Sequence, residues 1–466
     1  MKYISTRGNV NEIGFIDTVL MGLATDGGLL VPEQIPHIPA EKLQSMSKLS
    51  YQELAYEIIS YYVDGEIPEN ELKELINKSY GTFRHPEVTP VQKIKDNMYV
   101  LELFHGPTFA FKDVALQFLG NLYSYIAKKT GVTINILGAT SGDTGASAIE
   151  GVRGKEGIRI CILHPHGKVS RVQELQMTTV NDPTVLNLAI EGTFDDGQRI
   201  IKEIFADLEF KEKYHLRAIN SINFARILAQ TVYYFYAYFQ VAKEQDIKNL
   251  NFSVPTGNFG DIFAGYLAKR MGLPVGKLIV ATNENNILER FIKDGVYQPG
   301  EFRGTYSPSM DIQVASNFER YLYYLLDENP SAVRELMDQF KSEGKIVVGE
   351  ELLRQVQVDF AAHGVRNEEC LQTIKTYYAD TNYLLDPHTS CGVAAYEKSS
   401  IPNEVCVTLS TAHPAKFNEA IELCNIEQTY PEQIQQLFDK PQFLEVVRAD
   451  NEEIARRLKK LFSSAQ

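Results

Sequence analysis

Hydrophobic positions along this chain change their period near residue 95. Before that point, apolar residues recur at helical spacing in Tyr51 to Tyr62 and Glu69 to Tyr80, with Pro-rich connections such as Pro32 to Pro39. This pattern predicts a mainly helical N-terminal domain over residues 1–95. Beyond it, short β-rich runs alternate with helical ones. The predicted strands are Tyr99 to Leu103, Thr133 to Leu137, Ile158 to Leu163, Val185 to Ile190, Phe252 to Val254, Leu278 to Ala281 and Val405 to Leu409. Such alternation predicts an α/β region over residues 96–466, with parallel-rich sheets wrapped by crossover helices. The stretch 317–380 reads as successive helices inserted between the later strands. Ile227 to Ala242 is the most apolar helix candidate, but Gln230, Gln240 and its many tyrosines mark it as a core helix and not a membrane span.

Gly-rich turns directly follow two of the predicted strands, and each opens a helix. In Val254-Pro255-Thr256-Gly257-Asn258-Phe259-Gly260-Asp261 the glycines let successive backbone N–H groups converge on an anion, and the helix N-terminus adds partial positive charge. The segment lacks the Gly-Lys-Ser/Thr of a Walker loop and the G-x-G-x-x-G of a dinucleotide site. Gly138-Ala139-Thr140-Ser141-Gly142-Asp143-Thr144-Gly145 offers three hydroxyls and a helix start, donors suited to a carboxylate. Asp143 would repel such an anion, so it is expected to face something else or to serve as an N-cap. A third group, Asn220-Ser221-Ile222-Asn223-Phe224-Ala225-Arg226, places a guanidinium fork beside two amides, suitable for phosphate, but on spacing alone a surface salt-bridge arginine is the better reading.

The chemistry centres on His105-Gly106-Pro107-Thr108-Phe109-Ala110-Phe111-Lys112-Asp113, where one lysine sits between aromatic neighbours before a helical run, Val114 to Ala127. Burial disfavours the ammonium form, and a neutral amine can attack an aldehyde to form a Schiff base with pyridoxal phosphate. Alone, this stretch favours a lysine snorkelling at a helix start; the two distant loops reverse that preference. His164-Pro165-His166 lacks the spacing and third ligand of a metal site, and no metal is expected.

The 466 residues carry a formal net charge of −14 without a basic block, which argues against nucleic acid or anionic lipid as partner. Five scattered cysteines without a C-x-x-C spacing fit reduced thiols in a cytoplasmic protein. Met1 to Gly8 lacks a basic region followed by an apolar stretch, so no secretory signal is expected.

In combination these motifs resemble threonine synthases, the longer branch with an N-terminal helical domain, within the pyridoxal phosphate enzymes of fold type II (tryptophan synthase β-like). Further matches are Gly22-Leu23-Ala24-Thr25-Asp26-Gly27-Gly28-Leu29, Gly192-Thr193-Phe194-Asp195-Asp196 and Ser410-Thr411-Ala412-His413-Pro414-Ala415-Lys416-Phe417. The resemblance implies two α/β units within residues 96–466, pyridoxal 5′-phosphate as cofactor, and conversion of O-phospho-L-homoserine and water into L-threonine and phosphate. It implies Lys112 as the catalytic, cofactor-bearing lysine, Gly257, Asn258, Phe259 and Gly260 around the cofactor phosphate, and Thr411 beside the pyridine nitrogen. Asp143 takes the place of an asparagine that many fold-type-II enzymes set near the cofactor O3′. Ser141 and Thr144 would grip the substrate α-carboxylate, and Asn220 and Arg226 its phosphate. A monomer or homodimer is expected. The competing readings are another lyase of the same fold, such as threonine dehydratase, and a catalytically silent threonine-synthase-like binding protein.

Overall fold

The computed structural model describes residues 1–399, 401 and 404–463. Two sheets organise the part of the chain that follows residue 90. The larger has six strands in the order Phe360–Gly364, Val275–Thr282, Leu250–Pro255, Cys406–Ser410, Met98–Glu102, Val91–Lys95, parallel throughout except for the antiparallel last pair. The smaller is wholly parallel, in the order Glu445–Arg448, Val185–Glu191, Ile158–Pro165, Ile134–Ala139, Leu216–Ala218. Each strand predicted from the hydrophobic pattern is present. Helices cover both faces of such sheets, so their central strands read as unbroken apolar runs; Ile158–Pro165 is buried at every position.

The stretch 317–380 is not a run of helices alone. Phe318–Leu325, Pro330–Glu343, Glu350–Asp359 and Asn367–Thr381 are helical, but Phe360–Gly364 is an edge strand paired in parallel with Val275–Thr282. Its Ala361, Ala362 and Gly364 are weak strand formers, and it follows a helix without a break. Only the exposed edge of Val275–Thr282, which supplies its hydrogen bonds, makes this segment extended.

Tyr51–Val63 and Glu69–Tyr80 form as the periodicity predicts, the first capped by a reciprocal Ser50–Glu53 box. The N-terminal residues also make a small antiparallel ladder, Tyr3–Ser5 with Leu30–Pro32, that the pattern did not announce. One continuous apolar core runs from Tyr3 to Leu409. Arg320, fully buried, ties the segments together by donating to the Leu30 carbonyl at 3.0 and 3.1 Å and to the Ile222 carbonyl at 2.5 Å. Glu319, next to it, accepts two hydrogen bonds from Arg7 at 2.9 and 2.8 Å.

Phe224–Glu244 is the tyrosine-rich core helix, with sixteen of its residues buried. Lys112–Thr130 packs against Asp143–Val152, and the approach is close enough that a Cβ on Gly120 would strike the Gly151 carbonyl. The carboxyl ends of Ile134–Ala139, Leu250–Pro255 and Cys406–Ser410 all open toward one cavity, the place where open α/β sheets collect ligands. No helix among the described residues is long and apolar enough to cross a membrane.

Candidate active site

Lys112 is the first residue of its helix, and its approach segment is bolted to the loop after Cys406–Ser410. Phe111 donates its N–H to the Thr411 carbonyl at 2.8 Å, and His413 donates to the Phe109 carbonyl at 3.0 Å. Phe109 adopts a left-handed backbone, φ 60°, with the Arg84 guanidinium 3.5 Å over its ring. This lacing brings Lys112 and Thr411 into the wall of a cavity of about 400 Å³. Burial, only partly offset by Asp143 and reinforced by Arg226 and Lys416, lowers the Lys112 amine to about 8, so a useful fraction is neutral near physiological pH.

Across the cavity stands the turn 256–260. Phe259 takes φ 64° as the N-cap of Gly260–Arg270 and buries its ring against Phe318, Tyr321 and Phe360, so backbone and not side chain faces the cavity here. Gly257 has no room for a side chain, because a Cβ would lie 2.7 Å from the Ser309 carbonyl oxygen and 3.2 Å from the Met310 Cα. Asn258 is fixed by Asn317, whose N–H donates to the Asn258 carbonyl at 3.0 Å. Gly257, Asn258, Phe259 and Gly260 all line the cavity.

A buried guanidinium with no counter-ion among the described residues lies in the same wall. Arg226 is 4% exposed, and its Nε and Nη1 have no hydrogen-bond partner among the described residues. Burial lowers it to about 10, which leaves it charged. Asn220 lines the cavity with it. Asn223 does not serve beside it as a donor: its Oδ1 caps the helix through Ala225 N–H at 3.1 Å, and its Nδ2 donates to the Val19 carbonyl at 2.9 Å.

The first Gly-rich loop splits its residues. Thr140 Oγ1 accepts from the N–H groups of Gly142 and Gly145, both at 2.9 Å, which curls the loop and turns Thr144 into the cavity wall. Ser141 is exposed and is not part of that wall. Asp143, at the helix start, faces inward beneath it. Its Oδ1 accepts from Lys416 Nζ at 2.6 Å and Gln173 Nε2 at 2.8 Å, and its Oδ2 lies 4.0 Å from Lys112 Nζ. Burial pushes this carboxyl up, but Lys416 and Lys112 outweigh that and hold it well below the usual carboxylate range.

Some lining groups carried no sequence signal. His388 donates from Nδ1 to Asp386 at 2.8 Å and accepts at Nε2 from the Ser309 N–H at 3.2 Å, pinning the 309–312 turn over Gly257. Gln198 and Gln230 also reach the cavity. Only the Asp386-Pro387-His388 start of Pro387–Lys398, an N-cap pattern, hinted at the first of these.

The donor set fits pyridoxal phosphate: an amine of lowered basicity on one side and a side-chain-free nest of amides at a helix start on the other. Residues 2–80 match the protein family described as threonine synthase N terminus, 83–411 that of pyridoxal-phosphate dependent enzymes, and 389–457 the threonine synthase C-terminal family. The chain is 47% identical to the threonine synthase of Schizosaccharomyces pombe over 457 residues, covering 91% of this chain and 89% of that one. It belongs to the threonine synthase family. Among solved structures, the PLP-bound threonine synthase from Brucella melitensis superposes with a TM-score of 0.96 at 42% identity, covering 100% of both chains. Threonine synthase from yeast gives 0.94 at 44% identity over 99% of each. As a threonine synthase family member, the chain is a pyridoxal phosphate-dependent lyase of fold type II.

Proposed function

We propose that this cavity converts O-phospho-L-homoserine and water into L-threonine and phosphate. Arg226 carries the proposal: a buried guanidinium without an anion, in the same wall as a lysine of lowered basicity, calls for an anionic substrate group in addition to the cofactor phosphate. A threonine dehydratase has no second phosphate to place there.

Pyridoxal phosphate, when bound, supplies an aldehyde that captures amines and a ring that accepts the electron pair left at Cα. The backbone N–H groups of Gly257, Asn258, Phe259 and Gly260 and the positive end of their helix hold its phosphate. Thr411 would serve the pyridine nitrogen, to which a hydroxyl can give a hydrogen bond and no charge, and Asp143 would stand on the cofactor side beside Lys112. Thr144 and Ser141 take the substrate α-carboxylate; Ser141 reaches it by inward movement of its loop. Arg226 and Asn220 take the substrate phosphate, whose departure from Cγ is eased by their charge and donors. Lys112 would be the base that takes the Cα proton and then the Cβ proton, giving one back to Cγ once phosphate has left and the other to Cα after water has added its hydroxyl at Cβ and passed its proton to the released phosphate. In chain organisation we propose residues 1–95 as an N-terminal domain bracing a catalytic region, 96–466, of two α/β units.

Purified protein supplied with O-phosphohomoserine is expected to release threonine and phosphate in equal amounts. Release of 2-oxobutyrate from threonine as the main activity would favour the dehydratase reading. Borohydride reduction of the yellow protein, followed by peptide mass spectrometry, is expected to place the cofactor on Lys112. Arg226→Ala is expected to weaken binding of O-phosphohomoserine far more than that of a phosphate-free amino acid.

A further inference from the structure

Lys416 is a buried cation that the reaction above leaves without a task. It rises from the short turn Pro414–Phe417, and its side chain is fully buried. Nζ donates to Asp143 Oδ1 at 2.6 Å and to the Thr108 carbonyl at 2.7 Å. Two amines therefore share one carboxylate, Lys416 in direct contact and Lys112 at 4.0 Å. Attraction weakens with distance, and a charge-assisted hydrogen bond forms only at the shorter separation, so Asp143 is committed to Lys416.

Of the remaining charged groups around Lys112, the cations repel it, and the two other carboxylates accept from neutral donors and hold no cation in direct contact among the described residues. Asp113, on its own helix, accepts from the Thr108 N–H and hydroxyl and from Ser147, each at 2.7 Å. Asp261, at the start of Gly260–Arg270, accepts at Oδ1 from the hydroxyls of Tyr233 and Tyr234, its Oδ2 has no partner among the described residues, and burial favours its neutral form. Arg226, from the tyrosine-rich helix, repels an ammonium at position 112, and His388 lines the far side of the cavity. Asp143 is thus the carboxylate whose charge would fall on Lys112 if nothing else claimed it. A buried anion 4.0 Å from a buried amine, with no competing cation, keeps that amine protonated and unreactive.

We propose that Lys416 is a positioning residue for the reactive amine: by engaging Asp143 it keeps the carboxylate in place beside Lys112 while leaving the Lys112 nitrogen available as a neutral nucleophile. This rests on the reading that Lys112 is the cofactor-bearing lysine. It explains why an aspartate is tolerated so near that amine, where a neutral amide would do the same packing.

The test is competitive labelling of the full chain, freed of cofactor, with fluorodinitrobenzene across pH. The Lys112 peptide is quantified by mass spectrometry against exposed lysines such as Lys128. The reagent reacts with neutral amines only, so the midpoint of labelling reads the protonation of Lys112. Lys416→Met is expected to move that midpoint up and Asp143→Asn to move it down, each by about one pH unit or more, roughly a tenfold change in neutral amine. The double variant is expected to return close to wild type, and Lys416→Arg to rescue much of the shift. If Lys416→Met does not fold, the step from Asp143→Asn to the double variant reads the same contribution without an unpaired buried carboxylate, and an upward shift is again expected. Unmoved midpoints on adding the Lys416 change would overturn the proposal. Borohydride trapping of pyridoxal phosphate on the wild-type chain separates the two claims. An adduct away from Lys112 defeats the proposed function, whereas an adduct on Lys112 with unmoved midpoints defeats only the role of Lys416.

Discussion

Asp143 and Asp261 occupy nearly the same place in two copies of one local design, yet they end in opposite electrostatic states. Each follows a parallel strand and a Gly-containing turn, and each sits in the first turn of a buried helix. Asp143 finds two lysines and a glutamine, and its carboxyl is held low. Asp261 is hydrogen-bonded only by neutral phenols and feels Lys112 without touching it: burial raises it to about 6 against the hydrogen bonds of Tyr233 and Tyr234 and the charge of Lys112, and its Oδ2 has no partner among the described residues. Helix position does not decide the charge of either residue. The groups that distant parts of the chain bring to it decide, because inside a protein desolvation costs several kcal/mol per ion unless a cation is placed against it.

The sharpest way to probe this contrast is to remove the amine that both carboxylates face. Lys112→Ala should leave the fold intact and reduce turnover on O-phosphohomoserine by about 10⁴-fold or more, checked by phosphate release and circular dichroism. The next largest effect separates the two aspartates. Asp143→Asn leaves Lys416 as an unpaired buried cation and should cost about 3–5 kcal/mol in urea unfolding. Asp261→Asn removes a carboxylate that burial already penalises, and at neutral pH it should cost far less or even stabilise.

pH dependence sharpens the comparison further. The contribution of Asp143, whose folded value is depressed, is fully present above the unfolded value of about 3.9 and lost only as pH falls through the lower folded value. Asp261 is raised, so its contribution is present below about 3.9 and lost as pH rises through about 6. Wild type should therefore lose at most roughly 3 kcal/mol from this group between about pH 4 and 6. Asp261→Asn should abolish that slope in urea melts taken across the window; a slope equal to wild type would show that Asp261 stays ionised. The smallest effect belongs to the phenols. Tyr233→Phe should cost about 1 kcal/mol and shift the Asp261 window upward, since a donor to the ionised form is lost.

Much of this was legible in the residues themselves. Alternating apolar runs placed the strands, because a strand covered on both faces has to be apolar along its length. Glycines marked the two turns, because only a chain free of Cβ can pass as close to Ser309 and Met310 as Gly257 does. The aromatic setting of Lys112 by itself favoured a snorkelling side chain, and only together with the two Gly-rich turns did it point to a buried amine. What stayed hidden depended on partners far away in sequence. Phe360–Gly364 became a strand because the edge of Val275–Thr282 was open to it, against its own local preference. Ser141 carried a binding motif but lies outside the cavity wall, while His388 and Gln198 reach it without any motif.

By itself the sequence determined the local chemistry of this protein: which segments are strands, which turns can cradle an anion, and which lysine sits among apolar neighbours. These depend on periodicity and on the backbone freedom of single residues, properties a short window contains. Tertiary structure alone decided the charge state of Asp143. Lys416 reaches it from a turn 308 residues away from Thr108, the other group it binds, and the energy of a buried ion is set by what lies within a few ångströms in space, whatever the separation along the chain.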